Sequence, residues 1–244
     1  SDLMAAFETL DPHATHTVLR PAQAKVLESL SVSGRGDKVV RMSTGTGKTT
    51  VGLIYLFAHM KESKKPSVYL CSRKQLVEQV LIEASKLGIP AGEFAGGVKF
   101  PSSFAVKGEE IIVCTYDKLF TGHSRFNHRD LKFVPGAMVL DDVHAGADSV
   151  NQCHTLSISR DSAAKEYADL LELFAPALKE SIGYLITGIE KADSGAIAEL
   201  PYWAWRSVCE EASTIINASV YKEEWVSQRL AWKNLSPYIQ HCRV

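Results

Sequence analysis

The sequence is poor in the features that would place it in a special class. Its cysteines (Cys71, Cys114, Cys153, Cys209 and Cys242) are odd in number, widely spaced and never form a C-x-x-C pair, which excludes a disulfide framework and a cysteine zinc site. A reducing compartment follows. The longest apolar run, Val51 to Ala58, falls far short of the ~20 residues that span a bilayer, and no basic-then-apolar signal segment opens the chain. A soluble intracellular protein is therefore expected. An excess of charge of one sign is also missing: 27 Lys+Arg stand against 28 Asp+Glu, so any nucleic-acid partner has to be met by a local patch. Neither an internal repeat nor a low-complexity tract occurs. With 244 residues, 45% of them hydrophobic, disorder and fibre classes are excluded, and one sizeable domain or a domain with an appendage is expected.

What is present is a strand and helix rhythm. Pro21 opens an apolar spacing at Ala22, Val26, Leu27 and Leu30 that predicts a short helix, broken by Ser31 to Gly36. Lys38 to Arg41 then reads as a brief strand, Ser43 to Gly47 as a loop, and Lys48 to Met60 as an apolar helix. The unit recurs with Ser67 to Cys71 as a strand and Lys74 to Leu87 as a helix closed by Gly88 and Pro90. Ile111 to Cys114 and Ala137 to Leu140 look like buried central strands. Such alternation predicts an α/β fold with a mainly parallel sheet covered by helices, and ligands beyond the carboxyl ends of the strands. After about residue 150 the strand-like runs stop and helical spacing takes over, at Tyr167, Leu170, Leu171 and Phe174 and again at Leu178, Ile182, Leu185, Ile186 and Ile189. We read 1–150 as the nucleotide-binding domain and 151–244 as a helical insertion or subdomain, truncated at its end.

The loop before the Lys48 helix has the chemistry of a phosphate cradle. Backbone N–H groups of a glycine-rich turn point at phosphate oxygens, and a helix N-terminus adds about half a positive charge there. Gly45 and Gly47 permit the close approach, with Ser43, Thr44 and Thr46 around them and Thr50 just beyond. Lys48 suits the β and γ phosphates, and the Thr49 hydroxyl suits the magnesium that bridges them. The pattern G-x-x-x-x-G-K-[ST] is met except at its first position, which is Met42. A Ser/Thr/Gly turn that contains G-K-T without binding ATP is the bland alternative.

Downstream, the apolar run Ala137 to Leu140 ends in Asp141 and Asp142, followed by Val143 and His144. With Lys48 and Thr49 supplying phosphate and metal contacts, Asp141 suits the magnesium, and Asp142 suits orientation or deprotonation of an attacking water. Two exposed turn aspartates are the structural alternative.

Taken together, these motifs resemble the superfamily 2 helicases, the DEAD/DExH group, in their first RecA-like domain, over about Leu19 to Ala145. Ser43 to Thr49 looks like the family's first motif and Asp141-Asp142-Val143-His144 like its second, a DExH variant with aspartate in place of glutamate. The resemblance implies a RecA-like P-loop NTPase fold, ATP and Mg2+ as ligands, and sequence-independent contact with a DNA or RNA backbone. It also implies that Arg20 and Gln23, in Leu19-Arg20-Pro21-Ala22-Gln23, form the adenine-reading segment, and that His144 links the ATP site to the rest of a motor. Ser72 to Gln79 resembles the Ia segment, with Ser72 where proline is usual, and Thr115 to Leu119 the Ib segment. Arg73, Lys74, Thr115 and Tyr116 are the strand-contacting residues so implied, and merely structural loops are the alternative for both segments. Finally, the family's ATP site is completed by a second RecA-like domain, absent from these residues, so unwinding by this chain alone is expected to be negligible.

Other features are weaker. His123, Arg125, His128 and Arg129 form a polar cluster that reads as a solvated loop more readily than as a nucleic-acid path. Tyr202, Trp203, Trp205, Trp225 and Trp232 offer aromatic rings for base stacking, but Trp205, Val208, Cys209, Ala212 and Ile215 keep a helical spacing that favours core packing. Leu185-Ile186-Thr187-Gly188 resembles a third helicase motif but has helical flanks, so the strand leading to that motif is expected instead to begin at Tyr238 to Val244. Three functions compete: an ATP-hydrolysing motor module on DNA or RNA, a catalytically weak helicase-like scaffold that holds nucleotide, and a small-molecule kinase on a phosphate loop. The last leaves Gln23, Lys74 and Thr115 as coincidences.

Overall fold

A computed structural model describes residues 2–10, 18–34, 36–95, 101–124, 126, 134–191, 193 and 195–244, with the backbone alone for 181, 182 and 184–186. The chain divides into two compact units, one of Ser1–Phe120 with Ser124–Val150, the other of Thr121–His123 with Asn151–Val244.

The first unit is built on four strands, β1 (Ser67–Cys71), β2 (Ala91–Glu93), β3 (Ile111–Thr115) and β4 (Ala137–Leu140), in the order β2-β3-β1-β4 with every pairing parallel. Side chains alternate across the sheet. Tyr69, Cys71, Ile111 and Val113 face the larger core with Leu3 of α1 (Leu3–Glu8), Leu27 of α2 (Pro21–Val32), Leu53 and Leu56 of α3 (Lys48–Ser63) and Val77 and Val80 of α4 (Lys74–Lys86). Val68, Leu70, Ile112 and Cys114 face a smaller core with Ala105 of α5 (Ser103–Val106) and Tyr116 of α6 (Tyr116–Phe120). The α/β fold with a parallel sheet between helices is the one expected from the sequence. Helix α3 is apolar on most sides because it is central, and Leu53, Ile54 and Leu56 are wholly buried, at roughly 2 kcal/mol of transfer free energy each.

Two strand expectations change in this unit. Residues 38–41 form no strand among the described residues: Val39 is 97% exposed, and the Lys38 ammonium turns back to the carbonyls of Ser33 and Gly34. A strand needs a neighbour for its N–H and C=O groups, and no pairing includes this segment. β4 is an edge strand rather than a central one. Ala137 and Val139 pack against the larger core, whereas Met138 and Leu140 are 44% and 43% exposed.

The second unit is helical, with α8 (Ala164–Glu190), α9 (Tyr202–Ser219), α10 (Val226–Leu235) and a 3-10 turn over Ser236–His241; α7 (Val143–Cys153) runs across the division of the chain. Thr187 and Gly188 lie inside α8, as the helical flanks predicted. The strand expected from Tyr238 to Val244 is not formed: the 3-10 turn occupies its first part, and the Val244 carbonyl accepts from Leu200 N–H at 2.8 Å. Trp205, Trp225 and Trp232 are core residues, Trp205 Nε1 donating to the Ile239 carbonyl at 2.7 Å. Tyr202 and Trp203 are exposed instead. No helix of the described residues is long and apolar enough to cross a membrane.

Buried Glu166 joins α8 to the end of α9. Its carboxylate accepts from Lys222 Nζ at 2.6 Å and from the Ser219 hydroxyl. The Lys222 bond, then the Ser219 bond, hold its pKa down to about 2 from 4.5, against a smaller desolvation effect. A depressed carboxyl pKa contributes stability that is fully present above the unfolded value and is lost as pH falls through the folded one. Glu166→Gln is therefore expected to lower the thermal midpoint of the second unit at neutral pH, with the difference from wild type shrinking between pH 4.5 and pH 2. A pH-independent difference in melting curves would remove the ion pair as its cause.

Candidate functional site

The carboxyl ends of β1, β3 and β4 lie side by side, because the register sets Leu70 against Leu140 and Cys71 against Thr115. The chain leaves these ends towards Arg73, Tyr116 and Asp141. That edge is where an open parallel sheet offers room for a ligand.

The loop before α3 is shaped by two left-handed glycines, Gly45 (φ +79°) and Gly47 (φ +86°), and by a turn in which Thr46 donates to the Ser43 carbonyl from N–H (3.4 Å) and hydroxyl (2.6 Å). Gly47 is the N-cap of α3, and a Cβ there would stand 2.1 Å from Gln23 Nε2. Met42, the departure from the expected glycine, packs its side chain on the larger core, and its carbonyl accepts from Lys48 Nζ at 3.5 Å. Lys48 is thus held in reach of the loop by a long, weak bond. Ser43, Thr44 and Gly45 are exposed, and Thr49 is half-buried. Thr50 is buried instead, with its hydroxyl donating to Glu83 of α4 at 2.7 Å, so it ties α3 to α4 rather than facing the loop.

Gln23 and Arg20 are fastened to the same loop. Gln23 is buried, its Oε1 accepts from Arg20 N–H at 2.8 Å, and its Nε2 donates to the Gly47 carbonyl at 3.3 Å. Arg20 donates to the Gly45 carbonyl at 2.7 Å. Both ends of the Gln23 amide are therefore engaged by backbone, and the residue braces the loop whatever else it contacts.

Asp141 extends the β4 ladder, donating N–H to the Leu70 carbonyl at 3.0 Å. Its carboxyl is half-buried. Burial pushes its pKa up, opposed by the nearby Tyr69 hydroxyl and then by the Lys48 charge. Tyr69, a buried β1 side chain, has its own pKa raised by burial and then by the Asp141 charge. Lys48 and Asp141 thus lie near enough to feel one another beside Tyr69. Asp142, exposed, has φ +50°, a left-handed conformation that costs a non-glycine residue about 1–2 kcal/mol. Its carbonyl accepts from Gly146 N–H at 2.9 Å and so opens α7. His144 is exposed on that first turn.

Arg73 and Lys74 are exposed at the N-terminus of α4, and half-buried Thr115 ends the neighbouring strand. Tyr116 leaves this surface set: its ring is buried, its hydroxyl donates to the Asp141 carbonyl at 3.0 Å, and α7 crosses it closely at Gly146. A tyrosine following a strand end reads equally as surface or core, and here the acid-bearing turn covers it. His123 is exposed, whereas Arg125, His128 and Arg129 lie outside the described residues.

The donor set suits a hard cation. Thr49 offers a hydroxyl and Asp141 a carboxylate, and Mg2+ in phosphate sites takes one or two protein carboxylates and leaves the rest of its shell to phosphates and water. Among the described residues no group of three or more His, Cys, Asp or Glu gathers to hold a metal unaided. Tyr69 and Glu83 escape a motif reading because each sits inside an ordinary strand or helix pattern. The one local signal is a lone tyrosine among the small and aliphatic side chains of β1.

A family model described as DEAD/DEAH box helicase matches residues 20–169, more than half of the chain. No curated protein and no solved structure matches it.

Gly47→Ala is expected to destabilise the first unit by about 1–2 kcal/mol, from the left-handed backbone alone, and further through the contact with Gln23. Combined with Gln23→Ala, it should cost less than the sum of the two single changes in thermal or denaturant unfolding. Full additivity would show that the two residues do not press on one another.

Proposed function

Because the chain belongs to the DEAD/DEAH box helicase family, we propose that it is the ATP-binding and ATP-hydrolysing module of a DExH-type motor acting on DNA or RNA. The observation that carries this reading is the loop with left-handed Gly45 and Gly47 that delivers Lys48 and Thr49 to the N-terminus of α3, with the Asp141 carboxyl near enough to feel the Lys48 charge. Phosphates enter where Gly45 and Gly47 leave backbone N–H groups approachable and the helix end is positive. Lys48 exchanges its long bond to the Met42 carbonyl for phosphate oxygen, a stronger charge-assisted partner. Thr49 and Asp141 would hold Mg2+, which, when bound, neutralises charge between the phosphates.

Asp142 takes the water-orienting role. It is one methylene shorter than glutamate and is turned by its left-handed backbone, so its reach differs from that of a glutamate on regular backbone. The shorter side chain also favours a second reading, a scaffold that holds nucleotide and turns it over weakly. His144, exposed on the next turn, is free to report on the acid pair to a neighbouring element.

Nucleic acid is held by its phosphates at Arg73 and Lys74, where basic side chains and the N-terminus of α4 coincide, with Thr115 on the adjoining strand end. Such contacts are blind to sequence and steeply salt-dependent. A second RecA-like domain is the proposed partner that completes the ATP site.

Lys48→Ala is expected to weaken Mg·ATP binding by about 10–100-fold, the worth of a charge-assisted contact, in a fluorescent-nucleotide titration. Single-turnover hydrolysis that Lys48→Ala abolishes favours the motor over the scaffold. Arg73→Ala and Lys74→Ala should each make the log–log salt slope of single-strand binding shallower by about 1. An ATPase rate indifferent to single-stranded and duplex DNA and RNA, measured together with the second domain, would sink the motor reading.

A further inference from the structure

Thr50 directly follows the lysine and threonine of the phosphate loop, yet its hydroxyl does not serve the loop. A helical threonine ordinarily returns its hydroxyl to a carbonyl one turn back in its own helix. Here, at 4% exposure, it donates across to α4, to Glu83 Oε1 at 2.7 Å, and the other carboxylate oxygen stands 4.0 Å from Lys86 Nζ. Gly47, the N-cap of α3, lies close to the same hydroxyl: a Cβ there would stand 3.6 Å from Thr50 Oγ1 and 2.1 Å from Gln23 Nε2. The end of the phosphate loop is thus seated between the Gln23 amide of α2 and the Thr50 hydroxyl.

The bonds that hold this end of α3 differ in strength, and the difference decides what yields when phosphate arrives. Lys48 Nζ reaches the Met42 carbonyl at 3.5 Å, the outer limit of a hydrogen bond and readily exchanged. The bond from Thr50 to Glu83 is short and ends on a carboxylate, which is the strong kind. Helices α3 and α4 also share the larger core, Val51 and Ile54 on one with Val77, Val80 and Ala84 on the other. Apolar contact is non-directional and tolerates a slide or a rotation, whereas a hydrogen bond weakens steeply off its line. Movement of the first turn of α3 is therefore resisted, and passed on, at Glu83. From Glu83 the helix runs back about two and a half turns to Lys74, beside Arg73 at its N-terminus.

We propose that the Thr50–Glu83 hydrogen bond couples the nucleotide and nucleic-acid sites: through it, occupancy of the phosphate loop and strand binding at α4 depend on one another. The proposal rests on the two binding sites proposed above. Coupling of this kind is reciprocal, so the factor that nucleotide applies to strand affinity is the factor that strand applies to nucleotide affinity. Removal of the bond acts on that factor, whatever it does to either affinity alone. A bond that merely stiffened the fold would alter melting and leave the factor as it was.

The test uses the whole chain, as wild type, Thr50→Val, Thr50→Ser and Glu83→Leu. Affinity for fluorescent oligo(dT) and oligo(U) is measured with and without saturating Mg2+ and a non-hydrolysable ATP analogue. Affinity for a fluorescent nucleotide is then measured with and without the strand that binds, and circular dichroism melts check that each variant folds. Wild type is expected to show a coupling factor of about fivefold or more, equal in the two titrations. Thr50→Val, which keeps the shape and loses the hydroxyl, is expected to bring the factor within about twofold of one, the loss of one charge-assisted hydrogen bond. Glu83→Leu should do the same, Thr50→Ser should keep the factor, and Thr50→Val with Glu83→Leu together should lose no more than either alone. Glu83→Leu carries the test where Thr50→Val fails to fold. Wild-type coupling in Thr50→Val or Glu83→Leu, or a wild type that binds both ligands independently, overturns the proposal and leaves the two sites standing. A wild type that binds no nucleotide, or no strand, overturns the reading of that site and the coupling with it.

Discussion

The parallel register of β1 between β3 and β4 is the constraint from which the site follows. Parallel strands end on the same side, so one pairing pattern delivers Arg73, Thr115 and Asp141 to a single edge. Side chains alternate with period two, and a slip of one residue would exchange the faces of a strand. In the observed register Tyr69 and Cys71 face α3, whereas Val68 and Leu70 face the smaller core. Slipped by one, β1 would turn the Tyr69 ring away from Gly52 of α3 and put Leu70 on that face. The packing beneath α3 therefore depends on the register along the whole strand.

Around that sheet the loop and its helix are braced from several sides. Gln23 and Arg20 fasten Gly47 and Gly45 to α2, Met42 anchors the loop entry in the core, and Thr50 ties the first turn of α3 to Glu83 on α4. The last contact joins the helix that begins at the phosphate loop to the helix that begins at Arg73. Displacement of α3 by nucleotide thus meets α4 directly, through a buried hydroxyl as well as through apolar contact.

What the sequence made legible was what local pattern encodes. Helical spacing delivered α2, α3 and α4, apolar runs delivered β1, β3 and β4, and the glycine, lysine and acid motifs delivered the loop and the pair of aspartates. What pattern cannot carry is who neighbours whom. Residues 38–41 have the composition of a strand and an extended run, but strand character also needs a pairing partner that lies elsewhere in the chain. β4 reads as buried because it is apolar, and its exposed face becomes visible only when the order of strands is known. Tyr116 and Tyr69 fail in the same way from opposite directions. The first follows a strand end and proves to be covered by the turn at Gly146; the second is a strand tyrosine whose ring proves to lie against Gly52 of α3. In the helical unit, spacing separates Trp205 from solvent correctly but says nothing of Trp203, exposed two residues earlier on the same helix.

Asp142 is where local and long-range effects meet. An aspartate with φ +50° stores strain, and strain of this kind persists only where neighbours over-determine the backbone. Here they do: the Tyr116 hydroxyl holds the carbonyl just before it, Gly146 N–H holds its own carbonyl, and Gly146 lacks the Cβ that would drive α7 off the Tyr116 ring. Two residues thus cooperate to keep one acid in an unfavourable conformation beside the metal-binding candidate. On the proposed reading, holding nucleotide falls to Lys48, Thr49 and Asp141 and would gain nothing from that arrangement. The direction given to the Asp142 carboxylate is therefore the feature that weighs for hydrolysis, and its shorter reach is the feature that weighs on the rate.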